Sequence, residues 1–354
     1  MLGTDGKYHV VYELVLTNAK PVTATLQKVE VVDGGSPSRV LATFAGDAVL
    51  HRLFTLAPQP ATNANVEPNG SRLFFIELAF DSHAQVPSSL LHHLYLLGSA
   101  SPAATTATPL DYMVALFPLD RLQVPVIGPP LKGDGWVAAN GCCTTEIMHR
   151  GSVLPVNGSL FDAQRYAIDW MRLDAQGRLV RGDPSNVHDY VDYGADVIAV
   201  ADGTVIDTLN TLDDQVPGKL PDPSTITIQN VDGNHVVLDI GNGFYAFYAH
   251  MQKGSVTVKP GDKVKLGQVI GKLGNTGNTS APHLHFHIMT GPSVLGSDGV
   301  PYVIDRFGYA GQVSVDQFNA ATTLTGNWGQ GGLNQPSPRA DQFPLNLNII
   351  NFPD

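Results

Sequence analysis

Cysteine is nearly absent from this chain of 354 residues: only Cys142 and Cys143 occur, side by side, and neighbours in sequence cannot lay down a disulfide framework. The pair is expected as two small, partly buried thiols, with a vicinal disulfide or a metal-bound thiolate as alternatives. Charge is also scarce, 15% of residues, with 21 Lys+Arg against 32 Asp+Glu and a formal net charge of -11. No basic run is present to follow a phosphate backbone, which excludes nucleic acid as an expected partner. Long apolar runs are missing too: stretches such as Val197–Ala201 fall far short of the ~20 residues a membrane helix needs. The first residues, Met1-Leu2-Gly3-Thr4-Asp5-Gly6-Lys7, have neither the basic start nor the apolar stretch of a secretory signal.

What the chain does have is turn formers, 36 glycines and 25 prolines, beside 43% hydrophobic residues, the mark of a globular, turn-rich protein. At roughly 150 residues per domain its length suggests two domains. Residues 8 to 123 alternate β-prone runs with Asp33-Gly34-Gly35, Pro68-Asn69-Gly70 and Pro102, at the spacing of a β-sandwich of the immunoglobulin-like kind. The histidines there, His9, His51, His83, His92 and His93, are scattered and carry no evident chemistry. Pro125, Pro129, Pro130 and Lys132-Gly133-Asp134-Gly135 have linker composition, so 124–136 is expected to connect the sandwich to a second β domain over 137–308. Residues 309–354, polar and rich in Gly, Asn and Pro, are expected as a C-terminal extension. The fold class is all-β, because no helical periodicity of useful length interrupts the strands.

Histidine is concentrated at one place. His283, His285 and His287 stand at i, i+2 and i+4 and share one face if the segment is a strand, while Leu284, Phe286 and Ile288 fill the other. Neighbours on one face at this spacing, roughly 7 Å apart, suit a division in which one imidazole ligates a metal and the next acts on bound water or substrate.

The surrounding sequence carries a recognisable pattern. Val258-Lys259-Pro260-Gly261-Asp262 leads through Gly274-Asn275-Thr276-Gly277-Asn278-Thr279 into Pro282-His283-Leu284-His285-Phe286, with Asp202-Gly203-Thr204-Val205 and Phe247-Tyr248-Ala249-His250-Met251 upstream. This resembles the lysostaphin-type (LytM-like) zinc metalloendopeptidases, closely over about 196–290 and loosely over 150–195. The resemblance implies an antiparallel β-sheet domain with a groove, one zinc ion, and hydrolysis of peptide bonds, those of peptidoglycan cross-links in particular, outside the cytoplasm. It implies His285 as a zinc ligand and His250 and His283 as catalytic imidazoles. It also implies a His-x-x-x-Asp strand supplying two more ligands; Asp169 keeps the aspartate, but Arg165 stands where the histidine belongs, and a guanidinium cannot ligate zinc.

The missing ligand has candidates in His149, His188, His287 and the Cys142/Cys143 pair. His149 to Pro155 and Ser159 to Asp169 read as a hairpin around Val156-Asn157-Gly158. A three-residue loop would set His149 opposite Arg165, within reach of the zinc site, whereas a two-residue Asn157-Gly158 turn would throw it onto the other face. The set carried forward is Asp169, His285 and His149 for zinc, with His250 and His283 catalytic. The main expectation is a zinc-dependent endopeptidase with a peptide or peptidoglycan substrate. The alternative is an inactive peptidase-like module that binds wall peptide or regulates a partner hydrolase.

Overall fold

The computed structural model describes every residue except 58, 105, 120–122, 145–147, 321–326 and 329–331. The protein is nearly all β. Among the described residues the only α-helices are the short segments Asp47–Leu50 and Val315–Asn319, and none is long and apolar enough to cross a membrane. Packing divides the chain into two units: Gly6–Gln123 with Thr144–Glu146, and Met1–Asp5 with Val124–Cys143 and Ile147–Asp354.

The smaller unit is built from two antiparallel sheets. One joins Tyr8–Thr17, Ser71–Phe80 and Leu53–Phe54; the other joins Ser36–Ala45, Ala24–Asp33, Ser89–Ser99 and Ala107–Pro118. Leu14, Phe74 and Ile76 from the first pack against Leu26, Val29, Val31 and Leu90 from the second, which makes a sandwich. His92 and His93 face opposite ways, as alternation requires. His92 is buried against the Tyr12 hydroxyl at 2.7 Å, and His93 lies beside Tyr95 and Glu30 on the other face.

The larger unit is organised on one long antiparallel sheet, in the order Lys263–Val264, Gly203–Leu209, Asn234–Gly241, Phe244–Met251, Leu284–Met289, Ile168–Arg172, Gly133–Ala139, Asn348–Phe352, Phe307–Gln312 and Gly332–Arg339. Two expectations are corrected here. The stretch 124–136 is no simple linker, because Gly133–Ala139 pairs with Ile168–Arg172 on one side and Asn348–Phe352 on the other, with Trp136 and Val137 fully buried. Residues 309–354 are no appendage either, since they complete three strands of the same sheet. Glycine and proline punctuation marks turns without revealing which distant strands pair across them. Met1–Asp5 also belongs to this unit, tied by the Thr4 amide donating to the Phe343 carbonyl at 3.1 Å.

The strand Leu284–Met289 lies in the middle of the sheet, between Phe244–Met251 and Ile168–Arg172. Leu284, Phe286 and Ile288 are wholly buried on one face, where Phe286 meets Tyr248 and Tyr302 ring to ring. That apolar face fixes the register that presents the histidines on the other. Truncating it in Phe286→Ala is expected to cost about 3–5 kcal/mol. All three tryptophans, Trp136, Trp170 and Trp328, lie in the larger unit, so denaturant unfolding followed by tryptophan fluorescence reads that unit alone. A loss below about 1 kcal/mol would contradict the role given to this face.

Candidate active site

The site begins with a strand pairing. Asp169 stands directly opposite His285 across neighbouring strands, and Ala249 faces His285 from the other side. Paired residues project to the same face, so the Asp169 carboxylate meets the His285 ring with Nδ1 2.9 Å from Oδ1. His149 Nε2 and His283 Nε2 reach the same oxygen, each at 3.4 Å. His250 completes the cluster, its ring centroid 4.7 Å from that of His283. The structure therefore brings all five residues singled out from the sequence to one place.

His149 arrives by an unexpected route. The hairpin has the two-residue turn, with Val156 paired to Ser159 and Val153 to Asp162, and with Asn157 and Gly158 both at positive φ, 50° and 82°, as a type I′ turn requires. Continued to residue 149, that register would have turned the side chain away. The ladder instead stops at Val153, and His149 sits in a 3-10 turn, Met148–Gly151, which carries it to Asp169. Arg165 points elsewhere: its Nη1 donates to the Gly299 carbonyl at 2.9 Å, and it forms ion pairs with Asp162 and Asp298. The other candidate ligands do not join. His188 is exposed and meets Tyr193 edge to face, His287 lies behind His285, and Cys142 and Cys143 form a vicinal disulfide, which corrects the expectation of two thiols.

Backbone carbonyls set the tautomers. A carbonyl only accepts, so His149 Nδ1 must donate to Asn140 O and Ala167 O, at 2.9 and 3.0 Å; His283 Nδ1 to Ala281 O, at 2.8 Å; and His250 Nδ1 to Thr276 O, at 2.7 Å. Each neutral ring is left with its lone pair on Nε2. His285 is held differently: its Nε2 lies 3.1 Å from His287 Nδ1. That partner can donate or accept, so His285 can free Nδ1 for a metal without leaving Nε2 unpaired. Asn140, which the sequence did not single out, donates from Nδ2 to Asp169 Oδ2 at 2.7 Å and so leaves Oδ1 as the open ligand atom. His149, Asp169 and His285 each offer one atom within 4.8 Å of the others. Two imidazole nitrogens and one carboxylate oxygen form a donor set that suits zinc.

The loop Gly274–Ala281 supplies the carbonyls for both remaining imidazoles. Its glycines are required by close approach, since a Cβ on Gly277 would lie 2.3 Å from the Gly233 nitrogen. Asn275 ties this loop to the inserted segment 209–223 through Asp214 and Gln215. His250 itself has φ of 60°, an uncommon left-handed conformation for a non-glycine residue, where the ladder to Asn234–Gly241 shifts register.

Burial disfavours the charged form of every imidazole here, and Asp169 decides which of them it overcomes. The carboxylate raises His149 and His283 above the ordinary value of 6.5. His285 is pushed down to about 4, and His250 falls well below its usual value through burial and the positive charge of His283. Burial also opposes ionisation of Asp169, but His149 and His283 outweigh it and hold the carboxyl well below the normal range.

For the metal-free protein these shifts fix the sign of the pH dependence. Raised His149 and His283 contribute stability that is complete below the unfolded value of about 6.5 and is lost as pH rises through their folded values. Depressed His285 and His250 remove stability as pH falls from about 6.5 toward 4, because the unfolded chain takes up protons the folded one refuses. Asp169, depressed, contributes stability throughout this window and loses it only in stronger acid. With chelator present, the contribution of this cluster to urea stability is expected to be greatest near pH 6.5, falling by about 1.4 kcal/mol per pH unit for each shifted imidazole on either side. A stability that rises steadily from about pH 5 to 8 would contradict this assignment.

Residues 187–296 match the profile of Peptidase family M23. The chain is similar to peptidoglycan DD-endopeptidase ShyA of Vibrio cholerae, 46% identical over 57 residues, or 16% of this chain and 13% of that protein. It is also similar to glycyl-glycine endopeptidase ALE-1 of Staphylococcus capitis, 48% identical over 59 residues, 16% of each. Lysostaphin of Staphylococcus simulans is 47% identical over 58 residues, 16% of this chain and 11% of that protein. The chain thus spans only a small part of the length of these relatives. Among solved structures, the catalytic domain of Staphylococcus simulans lysostaphin overlaps 41% of this chain and 80% of its own, at 24% identity and a TM-score of 0.25. His250, His283 and His285 fall inside the matched segment, while Asp169 and His149 fall outside it. Over residues 187–296 the chain carries a domain of peptidase family M23.

Proposed function

We propose that the chain is a zinc-dependent endopeptidase that hydrolyses peptide bonds of the kind found in peptidoglycan cross-links, and that it acts outside the cytoplasm. The observation that carries the reading is the convergence of His149 Nε2, Asp169 Oδ1 and His285 Nδ1, with the tautomers of His149 and His285 compatible with ligation. His149 takes the place that Arg165 leaves vacant in the His-x-x-x-Asp pattern. Zinc bound there supplies a Lewis acid that polarises a scissile carbonyl and makes a water acidic enough to act near neutral pH.

The remaining groups belong to the chain. His283, anchored through Nδ1 to Ala281 O, presents Nε2 to accept a proton and to pass it to the departing amine. His250, buried and anchored through Nδ1 to Thr276 O, presents its Nε2 lone pair beside His283 and is suited to accept a hydrogen bond from the attacking water. Asn140 keeps the carboxylate of Asp169 from rotating.

Elemental analysis of protein purified without added zinc is expected to give about one zinc per chain. His149→Ala is expected to lose the metal and Arg165→Ala to retain it. On a cross-linked peptide substrate, His283→Ala is expected to keep zinc and to lose roughly 100- to 10,000-fold in kcat. An unmodified protein that takes up no zinc even after soaking overturns the reading and leaves a peptide-binding module.

A further inference from the structure

The vicinal disulfide Cys142–Cys143 plays no part in the chemistry above, yet it sits inside the segment that builds the metal centre. Asn140, two residues before it, donates to Asp169 and accepts from His149. His149, six residues after the pair, donates from Nδ1 to the Asn140 carbonyl at 2.9 Å. Both cysteine carbonyls are anchored. Cys142 O accepts from the Asn346 amide at 3.2 Å, and Cys143 O accepts from Arg150 Nη1 at 2.7 Å. Arg150 is the residue after His149 and is wholly buried. The two cysteines are themselves only 2% and 4% exposed, and the link from the ring to His149 runs through Arg150 and the backbone of Asn140.

We propose that the Cys142–Cys143 disulfide is a positioning element of the metal centre: it holds the segment that presents Asn140 and His149, and its opening by a dithiol lowers zinc affinity while the fold remains. The proposal rests on the reading of His149, Asp169 and His285 as zinc ligands. The physical reason is conformational entropy. A ring closed between adjacent residues restricts the backbone of both, and without it the binding of zinc must order those two residues as well. The carbonyls of Asn140, Cys142 and Cys143 would lose their fixed directions together, and with them the tautomer and aim of His149. The redox step is ordinary thiol–disulfide exchange. One thiolate of the dithiol attacks a cysteine sulfur and forms a mixed disulfide. Its second thiol then displaces that cysteine, leaving two cysteine thiols and an oxidised, cyclised reductant, with two electrons and two protons transferred.

The test uses the full chain, stripped of metal, in oxidised form and in dithiol-reduced form with the reductant removed under anaerobic conditions. Thiol titration checks that the two forms expose no thiol and two thiols after unfolding. Zinc affinity is read by competition with a chromophoric chelator, and far-ultraviolet circular dichroism reports the fold. The expected result is a Kd weakened about tenfold or more on reduction, with unchanged circular dichroism and with affinity restored by reoxidation; a Cys142→Ser, Cys143→Ser double variant is expected to match the reduced form. Equal affinities in the two forms overturn the proposal. So does loss of the fold on reduction, which would make the ring a requirement of the unit as a whole. Cobalt supplies a further readout: a sulfur-to-cobalt charge-transfer band in the reduced form would show thiolate ligation in place of positioning and also overturn it. Failure of the oxidised protein to bind zinc is a separate result, which defeats the ligand assignment itself and the proposal with it.

Discussion

A single carboxylate oxygen organises this site. Asp169 Oδ1 receives three imidazoles, from His285 at 2.9 Å and from His149 and His283 at 3.4 Å, in a setting from which water is largely excluded. Burying an isolated carboxylate is costly, and the surrounding cationic and hydrogen-bonding groups offset that cost. The position of Asp169 follows from the register that sets it opposite His285. A slip of one residue in either strand would send the carboxylate to the apolar face beside Trp170 and Phe286. The packing of that face therefore maintains the electrostatics of this one.

The imidazoles are not interchangeable, although burial disfavours charge on all of them. What differs is the partner of the second nitrogen. Carbonyls of Asn140 and Ala167, of Ala281, and of Thr276 orient His149, His283 and His250, so three rings present Nε2 because their backbone neighbours leave no other choice. His285 alone presents Nδ1, and its other nitrogen rests on His287. The cost of this arrangement is visible in His287, whose Nε2 is buried without a hydrogen-bond partner. A buried polar atom left unpaired is ordinarily worth about 1–3 kcal/mol of lost stability. It is tolerated where a partner able to switch between donor and acceptor is needed behind a ligand.

The readable part of this chemistry was local. The alternation His283, His285, His287 against Leu284, Phe286, Ile288 follows from the two-residue period of a strand, and Asp169 and His250 stand in motifs that can be matched along the chain. What the sequence did not reveal depends on distant pairing or on backbone direction. Residues 124–136 look like a linker and 309–354 like a tail, because nothing local indicates that Gly133–Ala139 and Asn348–Phe352 are neighbours. Asn140 carries no motif; it matters because its backbone, at φ of 54°, aims both its side chain and its carbonyl into the centre. His149 reaches the cluster by a route that the hairpin register does not give, since a 3-10 turn takes over where pairing would have continued.

Positions 149 and 165 differ in what fixes the direction of a side chain. A histidine at position 165 would belong to the segment leading into the Asp169 strand, and its direction would be set by that segment alone. With Arg165 there, the guanidinium is engaged by Asp162, Asp298 and the Gly299 carbonyl, interactions that hold the hairpin to the end of the histidine strand. His149 stands on a turn outside the sheet ladder, so pairing does not fix its direction. Its aim must come from side-chain and carbonyl contacts: Asn140 on one side, Ala167 on the other, and Arg150 anchored behind it. A side chain presented by a turn needs such support because a turn has fewer constraints than a strand. Anchored carbonyls and a disulfide lie within ten residues of His149 and constrain a side chain that the sheet ladder does not.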